Sequence, residues 1–117
     1  MYTEEKGFLG EFCASLILIC KGFWILKRRY KTKCGEIDII AKKGDLITFV
    51  EVKFRQGPES GYMAISDKQL KRIQRASEIF FDRYPEYRNN FRRYDIILIS
   101  KWKIPIHIEN ISFDRHI

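Results

Sequence analysis

Hydrophobic positions recur along this chain with two periods. Residues 4–21 carry Phe8, Phe12, Cys13, Leu16, Ile19 and Cys20 at helical spacing, and Lys21-Gly22 closes the segment. From 23 to 31, Phe23, Ile25 and Lys27 alternate with Trp24, Leu26 and Arg28, the period of a strand. Two further strands are predicted over 35–42 and 46–54, joined at the hairpin signal Lys42-Lys43-Gly44-Asp45. Residues 56–61 hold two glycines and Pro58 and predict a loop. Ser66 with Gln69 makes a capping box for a second helix. Its inward stripe is Leu70, Ile73, Ser77, Phe80, Phe81 and Tyr84, and Pro85 helps to stop it. Strands over 94–99 and 104–111 complete the order α-β-β-β-α-β-β. That order predicts an α/β fold on a central mixed sheet. No repeat or linker divides the 117 residues, so one domain over 1–117 is expected.

The central hairpin carries charges where strands usually bury apolar groups. Asp38 lies in Gly35-Glu36-Ile37-Asp38-Ile39-Ile40, and Glu51 and Lys53 lie in Phe49-Val50-Glu51-Val52-Lys53. In an antiparallel pair, opposed residues point to the same face. If opposed numbers sum to an odd value, Ile37, Ile39, Ala41, Val50 and Val52 share a wholly apolar face. Glu36, Asp38, Ile40, Ile47, Phe49, Glu51 and Lys53 then share the other. Even sums would mix carboxylates into the apolar set, which burial energetics reject. A two-residue turn at Lys43-Gly44, or a four-residue loop from Lys43 to Leu46, satisfies the odd sum. The ionic side chains then gather at one end of the sheet, unless a bulge breaks the alternation.

Glu11 sits on the first helix among Gly7, Ala14 and Ser15, small residues that allow a helix to approach a sheet closely. With Asp38, Glu51 and Lys53 it would form a pocket of net charge −2. Such a pocket repels phosphate by itself. A divalent ion removes the repulsion, polarises a phosphoryl oxygen and acidifies a bound water. Mg²⁺ needs only one or two carboxylates and completes its shell with water and phosphate oxygens. The residues leave a plainer reading open, because Glu-x-Lys on a strand is also an ordinary surface ion pair.

Composition narrows the partners. Net charge is +7 and the apolar fraction 45%, so the chain builds a core and presents a basic surface that attracts polyanions. Arg28, Arg29, Lys31, Lys33 and Arg55 flank the ionic end as phosphate-binding candidates, or else as a solvated basic face. The three cysteines, Cys13, Cys20 and Cys34, fit no disulfide or zinc pattern and are expected to be buried thiols. Trp24, Trp102 and most of the nine phenylalanines are expected in the core. His107 and His116 are isolated and take no catalytic role. Asp95 is expected to satisfy backbone or basic neighbours. The apolar run from Phe12 to Cys20 is too short to span a bilayer, and an acidic segment precedes it. A cytoplasmic protein with no membrane partner is expected.

Several segments together resemble the YraN-like family of uncharacterised bacterial proteins. They are Gly7-Phe8-Leu9-Gly10-Glu11-Phe12-Cys13-Ala14, residues 21–28, Gly35-Glu36-Ile37-Asp38-Ile39-Ile40 and residues 49–55, with Lys68-Gln69 and Arg93-Tyr94-Asp95. That family is similar to the restriction-endonuclease-like superfamily, and within it to archaeal Holliday-junction resolvases. The resemblance implies a three-layer α/β/α fold. It also implies metal ligation by Asp38 and Glu51 with help from Glu11, a catalytic Lys53, and Mg²⁺ or Mn²⁺ as cofactor. Gln69 and Lys68 would contact substrate, as would Arg55 and Arg28 on the basic flank. Arg29 departs from the family pattern, which usually has Asn there. Resolvase relatives act as homodimers, so pairing of two copies is implied, with no surface assigned.

Two functions follow. One is a metal-dependent endonuclease hydrolysing phosphodiesters of branched or structured DNA. The other is a non-catalytic nucleic-acid-binding module, for DNA or RNA, that keeps the nuclease fold.

Overall fold

The computed structural model describes residues 2–55, 66–100 and 103–111, apart from the side chains of residues 2–8 and 55. The expected 56–61 loop, Trp102, His116 and the Arg55 side chain lie outside the described residues.

The elements run α1 (Tyr2–Cys20), β1 (Trp24–Thr32), β2 (Gly35–Lys43), β3 (Leu46–Arg55), α2 (Asp67–Arg83), a 3-10 turn (Pro85–Tyr87), β4 (Phe91–Ser100) and β5 (Ile106–Ile108). This is the predicted order, with β4 longer and β5 shorter than the pattern suggested. The five strands form one sheet in the order β1-β2-β3-β4-β5. Only β3 and β4 are parallel, so the sheet is mixed. The crossover between them is α2, as a parallel connection requires.

The helices cover opposite faces. On one side Leu70, Ile73, Ala76, Phe80 and Phe81 of α2 pack on Ile40, Ile47, Phe49, Ile96 and Leu98. Phe80 is the hub, with the rings of Tyr30, Phe49, Phe81, Tyr84 and Tyr87 between 5.0 and 5.8 Å away. Each such buried ring contributes roughly 1.5–3 kcal/mol. On the other side Ala14 and Leu18 of α1 pack on Ile39, Ala41, Val50, Ile97 and Ile99. Ser66 caps α2 by accepting the Gln69 N–H at Oγ, 3.1 Å away. No helix among the described residues is long and apolar enough to cross a membrane.

Register follows the odd-sum rule. Ile39 opposes Val50 and Lys43 opposes Leu46, which is the register of the four-residue alternative, with Gly44-Asp45 at its tip. Gly44 has φ +57°, a conformation that favours glycine.

Three expectations need correction, and on α1 Phe12, Leu16 and Ile19 face outward, about half exposed, while Glu11, Ala14, Ser15 and Leu18 face the sheet. Small side chains bring the helix close, so they win the inner face over the larger apolar ones. Cys13 and Cys20 are consequently exposed, and Cys34 is half-buried. Trp24, at 77% exposure on edge strand β1, lies outside the core, and Phe54 and Phe91 are also exposed. Lastly, Ile37 packs with the α2 face, beside Tyr30 and Ile40, not with Ile39 and Ala41. The alternation of β2 therefore breaks between Ile37 and Ile39, at Asp38. On β1 the break is matched by Arg29, which has φ +50° and sits between the paired residues Arg28 and Tyr30.

Candidate functional site

The site forms where β2 and β3 separate. Their ladder ends at Ile39–Val50. Beyond it Asp38 Oδ2 accepts the Val52 N–H at 2.8 Å, so a side chain takes the place of a backbone carbonyl. Asp38 thus lies at the gap between the strands.

Glu51 follows the regular alternation of Ile47 and Phe49 and points to the α2 side. Lys53 Nζ is 3.5 Å from Glu51 Oε2, and Gln69 Nε2 of α2 is 3.4 Å from the same oxygen. Their side chains are only 14% and 26% exposed for Glu51 and Lys53. Burial, then the neighbouring Asp38 charge, pushes the Glu51 carboxyl up to about 7, although Lys53 and Arg72 oppose the shift. Burial also raises Asp38, against the Val52 hydrogen bond, with Glu36 and Glu11 adding repulsion. Desolvation raises both carboxyls, and the Asp38 charge adds to the cost of ionising Glu51 on the adjacent strand.

Glu11 reaches the same region from α1. Its carboxylate is buried and accepts from Arg29 Nε at 2.8 Å. A cavity of about 170 Å³ is lined by Glu11, Arg29, Glu36, Asp38, Val52 and Phe54. α1 approaches β3 closely there, where a Cβ at Gly10 would lie 2.6 Å from the Phe54 ring. Glu36 lines this cavity on the α1 side. It does not share a face with Glu51, because the break at Asp38 reverses the residues before it.

Glu11, Asp38, Glu51, Lys53 and Gln69 are thus brought to one end of the sheet. Asp38 joins the α1-side group, Glu11 and Glu36, to the α2-side group, Glu51, Lys53 and Gln69. Lys68 and Arg28 are exposed on α2 and β1. Among the described residues no three His, Cys, Asp or Glu side chains are arranged to hold a metal together as they stand. Asp38 and Glu51 offer hard oxygen donors, the kind Mg²⁺ and Mn²⁺ take, and two carboxylates suffice for Mg²⁺. The donor chemistry and the repulsion that remains beside Lys53 both fit such an ion.

Sequence reasoning missed the Arg29–Glu11 contact. Arg29 read as one member of a basic flank, and no periodicity announced its left-handed backbone. It also took His107 as isolated. Asp95, fully buried, accepts from His107 Nε2 at 2.9 Å, from Arg93 Nε and Nη2 at 3.0 Å, and from the Asn110 N–H at 2.9 Å. Lys21 Nζ lies 2.8 Å from His107 Nδ1. This network ties β5 and the end of α1 to β4. Asp95 satisfies basic and backbone neighbours, as its position on β4 suggested.

A family model described as uncharacterised protein family UPF0102 matches residues 10–99. The chain belongs to UPF0102, the YraN-like family. A UPF0102 protein of Mesorhizobium japonicum is 39% identical over 112 residues, covering 96% of this chain and 90% of the relative. One of Sinorhizobium fredii is 43% identical over 104 residues, covering 89% and 85%. Neither the UPF0102 description nor these names carries an activity, so function rests on the side chains. The matched span contains Glu11, Asp38, Glu51, Lys53 and Gln69, and also Arg29.

Proposed function

We propose that this UPF0102 protein is a metal-dependent endonuclease acting on DNA, with branched or structured DNA as the favoured substrate. The observation that carries the reading is the half-buried Asp38–Glu51 pair on neighbouring strands, in which burial and the Asp38 charge disfavour ionised Glu51, with the Lys53 ammonium beside it. A protein gains nothing in stability from burying two like charges. A site that binds a cation does.

Asp38 and Glu51 would hold Mg²⁺ or Mn²⁺, with Glu11 as a third carboxylate, and the ion would polarise a phosphoryl oxygen and acidify a bound water. Lys53 sets a positive charge next to the carboxylates, where it would stabilise the charge that builds on the phosphate during hydrolysis. Gln69, on the first turn of α2, keeps Glu51 turned toward Lys53. The exposed Lys68, Lys71, Arg72 and Arg75 of α2, with Lys31 and Lys33, give a basic margin for backbone phosphates.

The test is cleavage of a four-way DNA junction in Mg²⁺ or Mn²⁺. The reading expects cleavage by the wild type that vanishes in Asp38→Ala and in Lys53→Ala. If the wild type cleaves no DNA yet all three proteins bind it equally, the non-catalytic binding module replaces it.

A further inference from the structure

We propose that Arg29 is an internal countercharge that reserves Glu11 until DNA arrives, so that metal and DNA bind this protein cooperatively. The inference rests on the reading of the site given above and adds how its two ligands are coupled.

The backbone at Arg29 is unusual. Its φ of +50° lies in the left-handed region, where a residue with a Cβ is strained. Asn and Asp tolerate that region through short polar side chains, and Arg has none of that advantage. The neighbours Arg28 and Tyr30 stay paired with Ile39 and Ile37. The kink is thus confined to one residue, and its guanidinium meets Glu11. Strain of this kind persists where the surroundings over-determine it, and it gathers at functional positions.

The pair is asymmetric. The Glu11 side chain is 9% exposed and that of Arg29 44%. The carboxylate belongs to the α1 wall, whereas the guanidinium is half in water on a flexible stem. Without Arg29, Glu11 would be a buried charge with no partner, which is strongly unfavourable. Another cation or a proton would relieve it, and Asp38 and Glu36 line the same cavity. The cavity of about 170 Å³ is lined by Asp38 and not by Glu51, so an ion held by Asp38 and Glu51 feels the charges of Glu11 and Glu36 from its α1 side. Arg29 and a divalent ion therefore compete for one negative field.

DNA changes the competition. A phosphate offers the guanidinium a bidentate, charge-assisted partner that a single Glu11 oxygen does not match. Arg29 needs only side-chain rotation to exchange one for the other. Once it has moved, Glu11 faces the cavity without its cation, and the metal binds more tightly. Reciprocity then requires metal to tighten DNA binding by the same factor.

Mn²⁺ bound to the full chain is counted by loss of the free aqueous signal in electron paramagnetic resonance, with and without saturating four-way junction DNA. DNA should tighten Mn²⁺ binding to the wild type on the order of fivefold or more. Arg29→Asn, whose backbone suits the same φ, should bind Mn²⁺ tighter than wild type by a similar factor without DNA, and lose most of the DNA effect. Arg29→Gly repeats the test at that φ if the Asn variant fails to fold. If Glu51→Ala abolishes Mn²⁺ binding but both Arg29 variants match or fall below the wild type, the role of Arg29 is refuted and the site stands. If wild type and Glu51→Ala bind Mn²⁺ alike, or neither binds it, the site reading and this inference fall together.

Discussion

Asp38 Oδ2 accepts the backbone N–H of Val52 at 2.8 Å, just past the last ladder pair of the central hairpin. The carboxylate acts as a strand terminus and also as a member of the acid cluster. These two roles separate by mutation. Asp38→Asn keeps an acceptor for Val52, while Asp38→Ala leaves the N–H without one. The Ala variant should be less stable than the Asn variant by about 1–3 kcal/mol in urea denaturation. Both should lose Mn²⁺ binding.

Glu51 sets a pH dependence of stability in metal-free buffer. Its folded-state carboxyl is raised to about 7, from burial first and Asp38 second. A raised group contributes stability below its unfolded value and loses it as pH rises through the folded value. The wild type should therefore weaken between about pH 5 and pH 8. Glu51→Gln should flatten that slope and exceed the wild type at pH 8 by about 1–3 kcal/mol. Chemical denaturation at several pH values in EDTA reads both effects.

The site was legible in part because burial and alternation are strict rules. Odd register sums followed from keeping carboxylates off the apolar face, and Gly7, Ala14 and Ser15 marked the helix face that brings Glu11 inward. The rule failed at Asp38, where a kink between Ile37 and Ile39 moved Glu36 to the α1 side. The break lies opposite the left-handed backbone of Arg29, and single-residue φ values leave no periodic trace. On α1 the small residues took the sheet, and apolar periodicity alone gave no sign that Phe12, Leu16 and Ile19 would face outward.

Asp95 gives the opposite pH response. Burial pushes its carboxyl up, but hydrogen bonds from His107, Arg93 and the Asn110 backbone outweigh that and hold it below the usual range. Its contribution is present above the unfolded value and is lost as pH falls through the lowered one. Acid unfolding should thus steepen below about pH 4. Asp95→Ala strands Arg93 and His107 and should cost about 3–5 kcal/mol at neutral pH. Acid titration followed by circular dichroism measures the first, and urea denaturation the second.

Phe80 carries much of the α2 interface through its five ring neighbours. Phe80→Ala should cost about 3–5 kcal/mol, and Phe80→Leu clearly less. Thermal unfolding of the two variants should rank them in that order. The Ala variant should retain Mn²⁺ binding at temperatures where it stays folded, because Phe80 lies in the α2 core and not among the acidic side chains.

The central claim is that Asp38 and Glu51 grip one divalent ion. Diffraction from crystals grown in Mn²⁺, with data collected for anomalous scattering, locates that ion directly. The account predicts an anomalous peak between the carboxylates of Asp38 and Glu51 in the wild type, and none there in Glu51→Ala. Saturating Mn²⁺ with no peak between those side chains, or the same peak in both proteins, would contradict it.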